Sequence, residues 1–211
     1  MKTLVIGLAF GLLAASASAA TVSVVKTALP IDLVEAQSDV LAPTSFTAGK
    51  FLANQTGSIG GVRRSPYDSV ASLADSGVYN SVQGGGSATY LFDAAQDGFS
   101  ILWGSPDAYN TLSFFLGGTQ IDLGVAPGVA GMSITGAEVA ALPVWQPQQI
   151  GLAQVVFSGF EFDEVVLASG GNAFEYGLVS TTPAPVPLPA AAWLLAAGLG
   201  ALGLLRRRAT A

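Results

Sequence analysis

"TLSFFLGGTQIDLG", residues 111–124, is the stretch whose reading decides the fold. Two runs rich in β-branched and aromatic residues, 111–116 and 119–123, are separated by Gly117-Gly118. Two successive glycines can both take positive φ, as a type I′ turn requires, so the stretch reads as a tight β-hairpin. Working outward, Gly and Ser punctuate the chain every eight to twelve residues, and no long amphipathic helix pattern intervenes. That rhythm predicts an all-β chain folded as an antiparallel β-sandwich, jelly-roll-like, with further strands at 87–92, 98–103, 132–139, 153–157, 162–168 and 173–179. Pro143 and Pro147 with their neighbouring glutamines predict one loop, and Pro127-Gly128 another.

The ends are of a different character. Lys2, an apolar run from Leu4 to Ala15 and the small residues Ala17 and Ala19 follow the order of a secretory signal peptide, with cleavage expected after Ala19. Residues 20–180 then form the predicted sandwich domain, and "TTPAPVP", 181–187, a polyproline-prone linker. Leu188 to Leu205 carries no charge and, at ~1.5 Å per residue, is ~27 Å of helix, enough to cross a bilayer core. Arg206, Arg207 and Arg208 would stay in the cytoplasm by the positive-inside rule. The expected topology is therefore N-terminus out, C-terminus in.

Composition removes several kinds of function. Between the ends, the cations Lys26, Lys50, Arg63 and Arg64 face all fourteen carboxylates, and such a surface repels phosphate backbones, so nucleic acid is an unsuitable partner. Histidine and cysteine are absent, which excludes Ser-His-Asp and Cys-His hydrolases as well as a disulfide framework. Lys50 lies in no Ser-x-x-Lys pattern, and Lys26, in Ser23-Val24-Val25-Lys26, has that spacing without the Ser-Asp-Asn or Lys-Thr-Gly motifs that accompany it in a catalytic site.

Three groups of residues could still carry chemistry. Glu161, Asp163, Glu164 and Glu175, in "GFEFDEVVLASGGNAFEYG" (159–177), would be the acid pair of a glycoside hydrolase if two of them faced one another across a cleft. Alternation instead puts Glu161 and Asp163 on one strand face and Phe160 and Phe162 on the other, which is the ordinary arrangement of a polar outer face over an aromatic inner one. Asp93, Asp97, Asp107, Asn172 and Glu175 are oxygen donors that a sandwich could bring together for calcium, a cofactor that needs no histidine. "LWGSPDAYNTLSFF", 102–115, holds Trp103, Asp107, Tyr109 and Asn110, the set a sandwich rim would use to bind a surface polysaccharide. The same residues equally describe a core edge, with Trp103 buried and Asp107 capping a turn.

"VPLPA", formed by Val186, Pro187, Leu188, Pro189 and Ala190, followed by the small-residue-rich apolar run and then "RRR", resembles the VPLPA variant of the PEP-CTERM sorting signal of Gram-negative bacteria. The three parts stand in that family's order over residues 186–208. The stretches 84–115 and 162–177 resemble the body of exosortase-sorted surface proteins, although Glu175-Tyr176-Gly177-Leu178 departs from that pattern after the tyrosine. The resemblance implies export through the secretion translocon, removal of the leader by signal peptidase, a transient inner-membrane intermediate, and cutting near Pro189 by an exosortase. It also implies a final place at the cell surface or in extracellular matrix. No catalytic activity is implied.

Overall fold

The computed structural model describes residues 23–28, 33–124, 131–145 and 152–185. Their architecture is all-β and mostly antiparallel, with two short helices. The signal peptide, the VPLPA motif, Arg206, Arg207 and Arg208 and the apolar run at 188–205 lie outside the described residues, as do Pro127-Gly128 and Pro147. No helix among the described residues is long and apolar enough to cross a membrane.

In chain order the elements are β1 (Ser23–Ala28), α1 (Leu33–Ala36), β2 (Ser45–Phe46), β3 (Phe51–Gln55), β4 (Tyr79–Val82), β5 (Gly86–Trp103) and β6 (Asn110–Leu116). They continue as β7 (Thr119–Gln120), β8 (Ile134–Thr135), α2 (Gly136–Ala141), β9 (Val144–Trp145), β10 (Ala153–Ser169) and β11 (Phe174–Pro183). The hairpin predicted at 111–124 is β6–β7, with φ of 56° at Gly117 and 76° at Gly118, but β7 stops at Gln120, short of the expected strand end at 123.

Two long strands organise everything else. The first part of β10 pairs with β1 on one side and the second part of β5 on the other; β11, β4 and β3 continue from β5, and β9 lies parallel to β1. The second part of β10 instead lies between the first part of β5 and β6, with β2 beyond β5. One sheet is thus folded on itself, and β5 and β10 belong to both halves of a sandwich-like pair of layers.

Bulges make that fold possible. Register shifts separate Ser158, Phe162 and Glu164 along β10, where Gly159 has a φ of 86°. Inward-facing residues change parity there, from Val155 and Phe157 to Phe160 and Phe162 and back to Val165 and Leu167. In β5 the inward set passes from Ala88 and Tyr90 to Phe99 and Ile101. The expected separate strands at 87–92 and 98–103, and at 153–157 and 162–168, are accordingly each one bent strand. A bulge re-aims side chains without ending the ladder, so it imitates a turn in the sequence.

The layers meet in an aromatic core. Phe114 of β6 lies 4.9 Å from Phe157 between ring centroids, 5.0 Å from both Phe160 and Phe162, and 5.7 Å from Phe99. A smaller cluster joins Ala36, Tyr67, Leu73, Tyr79, Leu102 and Leu152. It ties the long connection between β3 and β4 to the sheet.

Two further expectations need correction. The strand expected at 132–139 contains only β8, because Thr135 and Glu138 form a capping box that starts α2. Thr181, Thr182 and Pro183, expected in the linker, continue β11 and align with Phe99, Gly98 and Gln96 of β5.

Candidate functional site

A cavity of about 730 Å³ opens where the β3–β4 connection crosses the end of β5 and the start of β11. Each wall is fixed by local chemistry. On one side, residues 58–66 are held by an isolated bridge, with the Ile59 N–H donating to the Arg63 carbonyl at 2.9 Å. Tyr79 from β4 anchors the same stretch: its hydroxyl donates to the Gly57 carbonyl at 2.5 Å and accepts from Arg63 Nε at 3.1 Å. On the other side, Gly104 to Asp107 turns away from β5, with the Asp107 N–H donating to the Ser105 carbonyl at 2.8 Å. Asn172, Ala173 and Glu175 complete the lining.

Glu175 is the unusual member. It is 1% exposed, and its Oε1 accepts from the Arg64 N–H at 2.8 Å. Its Oε2 is buried as well, on a carboxyl beside the Ser105 side chain. Burial raises the Glu175 pKa above the ordinary carboxylate value; the Arg64 amide and the nearby Ser105 side chain oppose the shift, and the charge of Asp107 adds to it. Arg64 itself reaches outward to Asp68, Nε to Oδ2 at 3.1 Å, on a largely exposed surface.

The four residues expected on a sandwich rim divide in two. Trp103 is 6% exposed, its ring stacked on Phe174 at 4.4 Å, and its Nε1 donates to the Ser105 carbonyl at 3.3 Å. With that ring face already covered, the core-edge description applies. Asn110 is fully buried; its amide donates to the Ser105 and Ala173 carbonyls at 2.8 and 3.0 Å, and its Oδ1 accepts from Ser169. It pins the 104–107 turn to the start of β11. Asp107 and Tyr109 are more accessible, with the Tyr109 hydroxyl 2.8 Å from Asp107 Oδ2 and 2.9 Å from the Asn172 carbonyl. Desolvation of that hydroxyl, followed by the hydrogen bond to Asp107 and its charge, pushes Tyr109 up to about 12.

The five expected calcium donors do not meet at one place. Asp107, Asn172 and Glu175 line the first cavity, Asp97 lines a second of about 550 Å³, and Asp93 lines neither. The reason is that Asp93 and Asp97 belong to the bend of β5 rather than to a loop. Among the described residues no group of three or more His, Cys, Asp or Glu could hold a metal ion.

The four hydrolase acids are likewise dispersed. Glu161 is exposed beside the second cavity, Asp163 accepts from the Gly117 N–H at 2.8 Å, Glu164 is half-buried in β10, and Glu175 lines the first cavity. Phe160 and Phe162 point inward, opposite Glu161, as alternation predicts. Lys26 donates weakly to the Val139 and Ala140 carbonyls at 3.4 and 3.5 Å, near the end of α2.

Residues 58–66 were absent from the sequence expectations for a site. The only signal there, Gly60-Gly61 beside Arg63-Arg64, has no motif spacing.

No family model, curated protein or solved structure matches the chain. Fold and site therefore define it as a β-rich, sandwich-like domain with a polar cavity beside a buried carboxyl group.

Proposed function

We propose that this chain is an exported, non-catalytic protein of the cell surface or extracellular matrix, held transiently in the inner membrane and processed by an exosortase at its C-terminal signal. The observation that carries the reading is the ordered tail: the VPLPA motif at 186–190, an uncharged run at 188–205 and Arg206–Arg208. The signal-peptide pattern of the first nineteen residues supports it from the other end. So does the place where the described sheet ends, with β11 running to Pro183, three residues before Val186. In this reading the sandwich is jelly-roll-like, and residues 188–205 form a membrane helix that positions the chain beside its processing enzyme, as a removable anchor does.

Intact mass spectrometry of the protein recovered from membrane and extracellular fractions of its native host tests the proposal. The expected mature species lacks the first ~19 residues and everything beyond about Pro189. Pro189→Ala is expected to leave the tailed precursor in the inner membrane. Recovery of an extracellular form that keeps the arginines, or normal trimming of that variant, would refute processing at this motif.

A further inference from the structure

We infer that the cavity beside residues 58–66 binds a sugar ring carrying one carboxylate, a hexuronate unit of an acidic polysaccharide, with Arg63 as the group that reads the carboxylate. This inference stands independently of the sorting reading. Arg63 is held at both its backbone and its side chain. The backbone closes a bridge with Ile59, N–H to carbonyl at 2.9 Å in one direction and 3.0 Å in the other, while Nε donates to the Tyr79 hydroxyl at 3.1 Å. Tyr79 is fully buried and is itself bonded to the Gly57 carbonyl, so the guanidinium is tied to the core rather than trailing in solvent. The bond at Nε uses one of the five N–H donors a guanidinium carries; Nη1 and Nη2 have no hydrogen-bond or ion-pair partner among the described residues. A half-buried, oriented fork with both of those groups unclaimed is the donor set that takes a carboxylate bidentately.

Charge sets the valence of the ligand. Arg64 is the other cation lining the cavity, and Asp68 takes its Nε at 3.1 Å. On the opposite wall Asp107 adds a negative charge, its Oδ2 accepting from the Tyr109 hydroxyl at 2.8 Å. One unpaired guanidinium across from one carboxylate matches a ligand with a single negative charge on one side and hydroxyl donors on the other. A phosphate dianion would meet Asp68 and Asp107 as well as Arg63, and fits less well.

Size and surroundings complete the class. The volume of about 730 Å³ lies within the range of small-molecule sites and accommodates a pyranose with its substituents. Ser69, Ser105 and Asn172 add polar side chains to the lining, as a hydroxyl-rich ring requires. Two of the four cations between the ends, adjacent in sequence, line this one cavity in a domain whose carboxylates outnumber its cations. An acidic polymer, repelled by the domain as a whole, is therefore attracted locally to this opening.

Saturation-transfer difference NMR on the purified full chain, kept in a mild detergent without a sugar headgroup, tests the site. The probes are the methyl glycosides of glucuronic and galacturonic acid, methyl glucoside and methyl galactoside as their neutral counterparts, N-acetylglutamate, and inorganic phosphate as competitor. At least one uronide is expected to bind at least about tenfold more tightly than its neutral counterpart. Arg63→Gln is expected to remove that preference, and Arg64→Gln, whose charge Asp68 already takes, to keep it. Gly60→Glu leaves Arg63 and Tyr79 in place: residue 60 lines the cavity with open space at its Cβ, and the added carboxylate should weaken the uronide. Loss of the preference in folded Arg63→Gln supports the assignment, as does weakening by Gly60→Glu where Arg63→Gln fails to fold. No transfer to either uronide from the folded wild type, equal affinity for the neutral counterpart, equal losses in the two arginine variants, or undiminished uronide binding in the folded variants overturns it. Equal or tighter binding of N-acetylglutamate, or of phosphate, also overturns it and gives the cavity to an acidic peptide or to a phosphate group.

Discussion

Replacing Phe114 by Ala tests the packing of the two layers, because this ring is fully buried and lies 4.9 to 5.7 Å from four other rings. Phe99 and Phe157 come from one half of the folded sheet, Phe114 from the other, and Phe160 and Phe162 from the bend of β10. Truncating a buried Phe costs about 3–5 kcal/mol. The edge-to-face neighbours, worth about 0.5–1.5 kcal/mol per pair beyond their area, place Phe114→Ala near the upper end. At about 2–4 °C per kcal/mol for a chain of this length, Tm should fall by roughly 8–20 °C. The neighbouring Phe115 provides the control. It points to the opposite, partly exposed face, and Phe115→Ala should cost below about 1 kcal/mol. Urea unfolding of the full chain in mild detergent, followed by circular dichroism, gives both values from the shift in midpoint. An equal or larger loss for Phe115→Ala would refute the register, since a one-residue slip exchanges every inward and outward side chain of β6.

Asn110→Ala should cost about 1–3 kcal/mol by removing the buried amide's bonds to the Ser105 and Ala173 carbonyls, and a thermal melt unchanged by it would contradict the structural role assigned to that amide. Gly136→Ala is expected to destabilise by about 1–3 kcal/mol, because its methyl group would overlap the Pro106 and Asp107 backbone; wild-type Tm would show that α2 does not pack there. For Glu175, whose pKa is raised by burial, the folded state binds its proton more tightly than the unfolded state does. Its contribution is thus fully present below the ordinary carboxylate value and is lost as pH rises through the folded one. Glu175→Gln should remove that fall from a stability-versus-pH profile; a profile that keeps the same slope would place the titration elsewhere.

Much of the sheet is legible because its signals are local. Gly117-Gly118 can supply two positive φ values without steric cost, and the strands on either side pair through that turn. Phe160 and Phe162 face inward because alternation operates over adjacent residues. The bends are hidden for the opposite reason: Gly159 reads as punctuation, yet β10 continues through it with a shifted register, its ladder preserved by contacts with β5. Around 132–139, β-branched residues suggested a strand, while Thr135 and Glu138, three apart, satisfied one another's backbone and began a helix.

The site was legible residue by residue and not as a place. Glu175 and Asp107 stand 68 positions apart in the chain. They line one cavity because Tyr176 of β11 is registered against Trp103 of β5, which brings residue 175 alongside the 104–107 turn. That register is a long-range property, and no local pattern announces it. The stretch 58–66 forms the remaining wall because Tyr67 and Leu73 pack against Tyr79 and Leu102, and Tyr79 bonds Gly57 and Arg63. The same dependence explains Trp103, whose neighbours Pro106, Asp107 and Tyr109 suggest an accessible rim. Phe174, 71 residues away, decides otherwise by covering one face of the indole. Composition told which chemistries were excluded, since absent histidine and cysteine are absent in every fold. Which of the remaining carboxylates would be buried depended on the pairing of β5 with β11.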